Sequence, residues 1–346
     1  MIGVFIAGAA FWGIGRALGL SAMRRGVVLF VVWLLLIGLH LALPEAHLLR
    51  RVVGGDARVW LVVGIGFGAV LAYAAGLRAL RARGGEEQAV TAVKSTYAPG
   101  EVERYARHIL LREIGGPGQK QLKTCKILVV GAGGLGSPAL LYLAAAGVGV
   151  IGVVDDDLVE RSNLQRQIIH SEDRIGMAKV ASAALAMKAL NPFVEVRAIE
   201  ARLGEANAAA IIADYDLILD GSDNFDTRYL VNRLAVAAGK PLISAAITQW
   251  EGQMSLYDPA RGAPCYDCVF PVRPEPGMVP TCAEAGVVAA LPGVIGAMMA
   301  LEAIKEITGA GEGLRGRLLI HDALFGETRM IRVSRRDDCA ICGASV

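Results

Sequence analysis

The feature that most narrows the fold of this chain is a glycine-rich turn, Gly131-Ala132-Gly133-Gly134-Leu135-Gly136-Ser137. An apolar stretch, Lys126 to Val130, leads into it, and a run of small and apolar residues, Ser137 to Ala146, leads out. Strand, glycine turn and helix start in that order make a phosphate cradle. Glycines at Gly131, Gly133 and Gly136 let the backbone turn tightly and approach the phosphates, whose charge meets the helix N-terminus. Gly134 lies at the same turn. Asp155 follows Gly136 by 19 residues, closing a second apolar stretch from Val150 to Val154, and is placed to accept ribose hydroxyls. A dehydrogenase would carry the same features, so they indicate a nucleotide without saying which one.

The turn sits in a longer alternation. A helix is expected near Ala178 to Leu190, strands at Val194 to Ala198 and Leu217 to Asp220, a helix at Asp226 to Ala238, and a strand at Pro241 to Ala246. Glu101 to Glu113, upstream, has helical spacing. Alternation of this kind predicts an α/β fold, a Rossmann-like, mostly parallel sheet with helices on both faces. Beyond residue 250 come a strand at Met254 to Tyr257, a long Pro/Cys-rich loop, a helix near Leu291 to Ile307 and paired strands near Leu318 and Met330. These predict an antiparallel C-terminal extension of the same sheet.

Three charged residues separate the nucleotide readings. Arg166, in Ser162-Asn163-Leu164-Gln165-Arg166-Gln167, offers planar donors to phosphate oxygens, and Lys179 supplies a compact point charge. Asp223, in Gly221-Ser222-Asp223-Asn224 just past a strand end, is a metal-binding carboxylate. Two fixed cations and one such carboxylate suit magnesium-bound ATP, with positive charge stabilising departing pyrophosphate. An NAD-dependent oxidoreductase needs none of the three.

Cys265-Tyr266-Asp267-Cys268 and Cys339-Ala340-Ile341-Cys342 form two C-x-x-C pairs. Four thiolates so spaced match a closed, structural Zn2+ site rather than a catalytic one. Cys125, at the entry of the first strand, reads as core.

The first 83 residues differ from the rest. The mean hydropathy of +0.47 is high for a soluble enzyme, and the excess is local. Gly26 to Leu43 and Val59 to Leu77 hold no charged residue. Each is long enough, as a helix, to cross a hydrocarbon core of about 30 Å. Met1 to Gly15 is also uncharged, and crosses only if its helix continues through Ala17 to Met23. Two to three transmembrane helices are therefore expected, at about 2–23, 26–44 and 59–77. Residues 1–83 carry nine arginines against Glu45 and Asp56, whereas the remainder has 26 basic and 31 acidic residues. Arg24 and Arg25 precede the second run, and Arg78, Arg81 and Arg83 follow the third. The positive-inside rule then gives a multi-pass protein of the inner (cytoplasmic) membrane with its catalytic part in the cytoplasm. Residues 84–100 read as a polar linker and 101–346 as the catalytic domain. The slightly acidic remainder shows no basic stripe of the kind nucleic acid requires.

Taken together, GAGGLGS, SNLQRQ, GMAK ending at Lys179, SDN, PCYDC and CAIC resemble the ubiquitin-activating-enzyme-like adenylyltransferases MoeB, ThiF and HesA. The resemblance covers 101–346. Thr281-Cys282-Ala283-Glu284-Ala285-Gly286-Val287 brings it nearest to the molybdopterin-synthase branch. It implies ATP contacts at Gly134, Asp155, Ser162, Asn163, Leu164, Gln165, Arg166, Lys179, Asp223 and Asn224, with Asp223 holding Mg2+ and Arg166, Lys179 and Asn163 in the catalytic set. Arg107, in a homodimer, would reach the neighbouring subunit's phosphates. Cys265, Cys268, Cys339 and Cys342 would be the zinc ligands.

The implied substrate is the C-terminal Gly-Gly carboxylate of a small ubiquitin-like sulfur-carrier protein, the molybdopterin-synthase small subunit, for molybdenum cofactor biosynthesis. The thiamine-pathway carrier is the nearest alternative, and a non-catalytic membrane scaffold a further one. No rhodanese-like domain is seen, so the sulfur donor is expected to be a separate protein. Cys282 stands between two readings, a thiol that captures the activated carrier and a spectator. The N-terminal hydrophobic runs lie outside the family pattern.

Overall fold

The computed structural model describes residues 2–90, 97–275, 278 and 282–343. It divides into two compact units, Met1–Ser95 and Thr96–Val346.

The first unit is helical: α1 (Ile2–Ala17), α2 (Ala22–Ala42), α3 (Leu48–Val53) and α4 (Ala57–Val90). The expected continuous helix over 2–23 does not form. Gly19 takes a left-handed conformation, φ +73°, which ends α1. Ser21 then caps α2, its hydroxyl accepting the Arg24 N–H at 3.4 Å. At 16 residues α1 is about 24 Å long, short of the hydrocarbon thickness. Two stretches, Arg24–Ala42 and Ala57–Leu77, are long and apolar enough to cross a membrane by length and composition. They pack closely because Gly64 leaves room for the Trp33 ring: a Cβ there would lie 2.0 Å from it. The Trp33 indole donates to the Trp60 carbonyl at 2.8 Å. Helix α4 runs on to Val90, so the expected linker begins as helix. Glu86, Glu87, Gln88 and Ala89 are good helix formers, and Gly84 and Gly85 cost only about 1 kcal/mol each. Residues 91–96 of that linker lie outside the described residues.

The second unit is built on one eight-stranded sheet: β1 (Lys126–Val130), β2 (Val150–Asp155), β3 (Glu195–Glu200), β4 (Leu217–Asp220), β5 (Leu242–Ile247), β6 (Glu251–Tyr257), β7 (Arg317–Asp322) and β8 (Glu327–Arg332). Its spatial order is β3-β2-β1-β4-β5-β6-β7-β8. The first five are parallel and the last three antiparallel, so the expected mixed sheet and its extension are both present. The helices are α5 (Glu101–Arg104), α6 (Ala106–Ile109), α7 (Gly115–Thr124), α8 (Gly136–Ala146), α9 (Lys179–Leu190), α10 (Ala208–Ala213), α11 (Phe225–Ala237), α12 (Tyr266–Val269), α13 (Cys282–Ala285) and α14 (Leu291–Thr308). Two apolar clusters separate on the sheet's two faces. One centres on Val129, Leu140, Ile151 and Met299, the other on Leu128, Ile212, Ile218 and Val231. Alternate residues of β1 thus feed opposite cores, as a strand covered on both sides requires.

The single helix expected over 101–113 is broken. Tyr105, at φ −94° and ψ 6°, separates α5 from α6, and its ring is buried beneath Gly147, where a Cβ would lie 2.4 Å from it. Helix α7 starts in Gly115-Gly116-Pro117-Gly118, a poor helix sequence, and is held by packing. Gln119 donates to the Ala146 carbonyl at 2.8 Å, and Leu122 is fully buried.

Candidate nucleotide site and cysteine cluster

At the C-terminal ends of the parallel strands lies a cavity of about 780 Å³, large enough for a nucleotide. The paired strands β1 and β4 flank the topological switch point there, where open α/β sheets bind ligands. The glycine turn forms its floor. Gly131 has φ +92°, a conformation glycine adopts freely, and Gly136 permits the turn to close, since a Cβ on it would sit 1.9 Å from the Gly131 carbonyl oxygen. Gly131, Gly133 and Gly134 line the cavity, while Gly136 lies behind it.

Several elements hold the turn. The Gly131 N–H donates to the Val154 carbonyl at 2.9 Å. Asp155, at the end of β2, accepts the Ala132 N–H at 2.7 Å and the Asp157 N–H at 2.8 Å. Burial raises its pKa against these donors and nearby Lys179. Asp155 therefore braces the turn as well as facing the cavity. Buried His170 reaches the turn from the other side, its Nε2 3.0 Å from the Ala132 carbonyl oxygen.

Cations and carboxylates line one wall. Lys179 opens α9, is 5% exposed, and donates to Asp157 at 2.7 Å. Arg166 donates to Asn163 Oδ1 at 3.0 Å and to the Ser162 carbonyl at 3.4 Å. Asn163 and Ser162 both turn toward Glu160. Of the stretch 162–167, only Arg166 and Gln167 line the cavity; Ser162, Asn163, Leu164 and Gln165 do not. Asp223 and Asn224 also line the cavity, and the Asn224 side chain caps α11 by accepting the Thr227 N–H at 2.8 Å. Arg107 is exposed on α6 and stands outside the cavity of its own chain.

A buried pair lies beneath Asp223 that the sequence reading missed. Asp220, fully buried, accepts the Ser222 N–H at 3.0 Å, the Ser222 hydroxyl at 2.6 Å and the Ser244 hydroxyl at 2.8 Å. Arg228, 5% exposed, lies 3.8 Å from it and donates to the Ser222 carbonyl at 2.7 Å. The pair shapes the loop that carries Asp223. A carboxylate ending a buried strand beside Gly-Ser was the available signal.

The two C-x-x-C pairs converge. The four sulfurs lie within 4.8 Å of one another, with Cys265–Cys268 at 3.8 Å, Cys265–Cys339 at 3.6 Å and Cys268–Cys342 at 3.4 Å. These separations far exceed a disulfide bond of about 2.05 Å. They match the edges of a tetrahedron with metal–sulfur distances of about 2.3 Å. The cluster could hold a metal ion, and its all-thiol, closed donor set fits zinc. Cys265 is the residue preceding α12, whose Tyr266 and the following Phe270 line the nucleotide cavity. Cys282 opens α13, and its side chain lies outside the described residues, as does Thr281.

Fold and cavity define a Rossmann-like α/β protein with a nucleotide-sized cavity at its switch point. The particular family follows from comparison with known proteins: residues 105–341 match the ThiF family, and the chain belongs to it. The SAMP-activating enzyme E1 of Haloferax volcanii is 47% identical over 243 residues, 70% of this chain and 89% of its own. The sulfur carrier protein adenylyltransferase of Thermus thermophilus is 48% identical, over 70% of this chain and 91% of its own. Among solved structures, E. coli MccB with ATP shares the fold at a TM-score of 0.62 and 24% identity, covering 69% of this chain and 74% of MccB.

Proposed function

We propose that this chain joins AMP to the C-terminal Gly-Gly carboxylate of a small ubiquitin-like sulfur carrier, the molybdopterin-synthase small subunit. Family membership makes it a sulfur-carrier protein adenylyltransferase, and ATP use follows from that class. The observation that carries the reading is the convergence of the glycine turn, Arg166, Lys179 and Asp223 on one cavity.

The chemistry needs no general base. A C-terminal carboxylate, with a pKa of about 3.5, is already ionised at neutral pH. One of its oxygens attacks the α-phosphorus, a new O–P bond forms, and the bond to pyrophosphate breaks. Arg166 and Lys179 stabilise the charge on the departing phosphates, with Arg107 of a second copy of this chain as a further cation. Asp223, which lines the cavity, would hold magnesium, and the ion would add positive charge beside the triphosphate. Catalysis is then alignment and electrostatic stabilisation. The cysteine cluster, as a zinc site, is structural.

The test is exchange of labelled pyrophosphate into ATP with each purified carrier. Exchange that depends on the molybdopterin-synthase subunit is expected. Exchange with the thiamine-pathway carrier alone would reassign the substrate, and none with either would sink the proposal. We further infer that α2 and α4 anchor the chain in the inner membrane with the catalytic unit in the cytoplasm, on the strength of their length, composition and flanking arginines. Recovery of the full chain in the alkali-washed soluble fraction would contradict this.

A further inference from the structure

We propose that His170 is a positioning residue whose grip on the glycine turn aims the Gly133 N–H at the nucleotide phosphates. The proposal rests on the nucleotide-site reading above. A carbonyl oxygen can only accept, so the 3.0 Å contact from Nε2 to the Ala132 carbonyl fixes the proton on Nε2. The other nitrogen, Nδ1, then accepts from the Ser182 hydroxyl at 2.9 Å. His170 is 7% exposed and Ser182 fully buried, so neither hydrogen bond competes with water. Burial, with the charges of Lys179 and Arg174 nearby, lowers the imidazole pKa and favours this neutral form.

The consequence follows from peptide geometry. Every described peptide is trans, and in a trans peptide the C=O and the next N–H point in opposite directions. Drawing the Ala132 carbonyl inward to His170 therefore turns the Gly133 N–H outward. Gly133 lines the cavity, and a Cβ built on it would meet nothing nearer than Gln167 Nε2 at 3.7 Å. Among the described residues no backbone or side-chain acceptor takes that N–H. On the other side of Ala132, its own N–H is held by Asp155 at 2.7 Å. The residue is thus clamped at both polar groups, by side chains from different segments. Ser182 lies on α9, three residues after Lys179. The same ring therefore ties the turn to the helix that presents the lysine.

The experiment measures binding of two probes, Mg-ATP and adenosine, to the full chain in detergent by calorimetry. Adenosine has no phosphate, so it registers damage to the rest of the cavity and is blind to a misdirected N–H. His170→Ala is expected to weaken ATP about tenfold, the loss of one well-aimed hydrogen bond to a charged group, with adenosine unchanged. His170→Gln, whose amide nitrogen can stand near the place of Nε2, is expected to restore most of the ATP affinity. Ser182→Ala keeps the ring but frees it to turn, and is expected to cost ATP about threefold and adenosine nothing. If the alanine variant at 170 does not fold, the glutamine and Ser182 variants decide the matter. Equal losses for both probes, or no loss for ATP, would overturn the assignment. An unmodified chain that binds adenosine but not ATP would instead refute the phosphate site itself.

Discussion

The glycine turn and the cysteine cluster both adjoin the same cavity, yet they are held by opposite means. The turn is secured by many modest contacts from separate elements: the Val154 carbonyl, Asp155, His170 and the close approach of Gly221. The cluster depends on four sulfurs converging at one point. Damage to the first should therefore be graded and mostly functional, and damage to the second abrupt and mostly structural.

The largest effect is expected at the cluster. Cys268→Ser should abolish stoichiometric metal, read by mass spectrometry, and destabilise the catalytic unit by about 5 kcal/mol or more. An unchanged melting curve would mean that the thiols do not clamp the fold. Next is Asp220→Ala, which leaves Arg228 buried without its partner and should cost about 4 kcal/mol in denaturant unfolding. Asp223→Ala, on an exposed rim position, should lower pyrophosphate exchange at least about 100-fold while leaving unfolding unchanged. Loss of stability there would blur the distinction between Asp223 and Asp220. A smaller effect than at Asp223 should come from Gly133→Ala, where a methyl group has space. We expect it to raise the KM for ATP about tenfold in steady-state kinetics, with the protein folding normally. Gly136→Ala, with its Cβ 1.9 Å from the Gly131 carbonyl oxygen, should instead disrupt the turn. Similar behaviour of the two variants would erase the contrast between lining and supporting glycines.

What could be read from the sequence was whatever carries its signal locally. Lys126–Val130 running into Gly131, the alternating apolar stretches and the paired cysteines each announce themselves within a few residues, and all eight strands were anticipated. Arg166, Lys179 and Asp223 could be picked out because their chemistry is rare in combination. Features that depend on distant partners were not legible. Helix α7 begins with three glycines and a proline, and exists because Gln119 finds the Ala146 carbonyl 27 positions away. The Asp220–Arg228 pair needs the turn between β4 and α11 to bring the groups together. His170 looks like any histidine until its ring is found between Ala132 and Ser182. The stop in α1 at Gly19 was overlooked because uniform hydrophobicity hides a single backbone reversal.

Tyr266 belongs to both regions. It sits between Cys265 and Cys268 on a single helical turn, and its ring packs edge-on against Tyr229 and Tyr257 while facing the cavity. A change at the sulfurs would therefore reach the cavity wall through the residue next to Cys265.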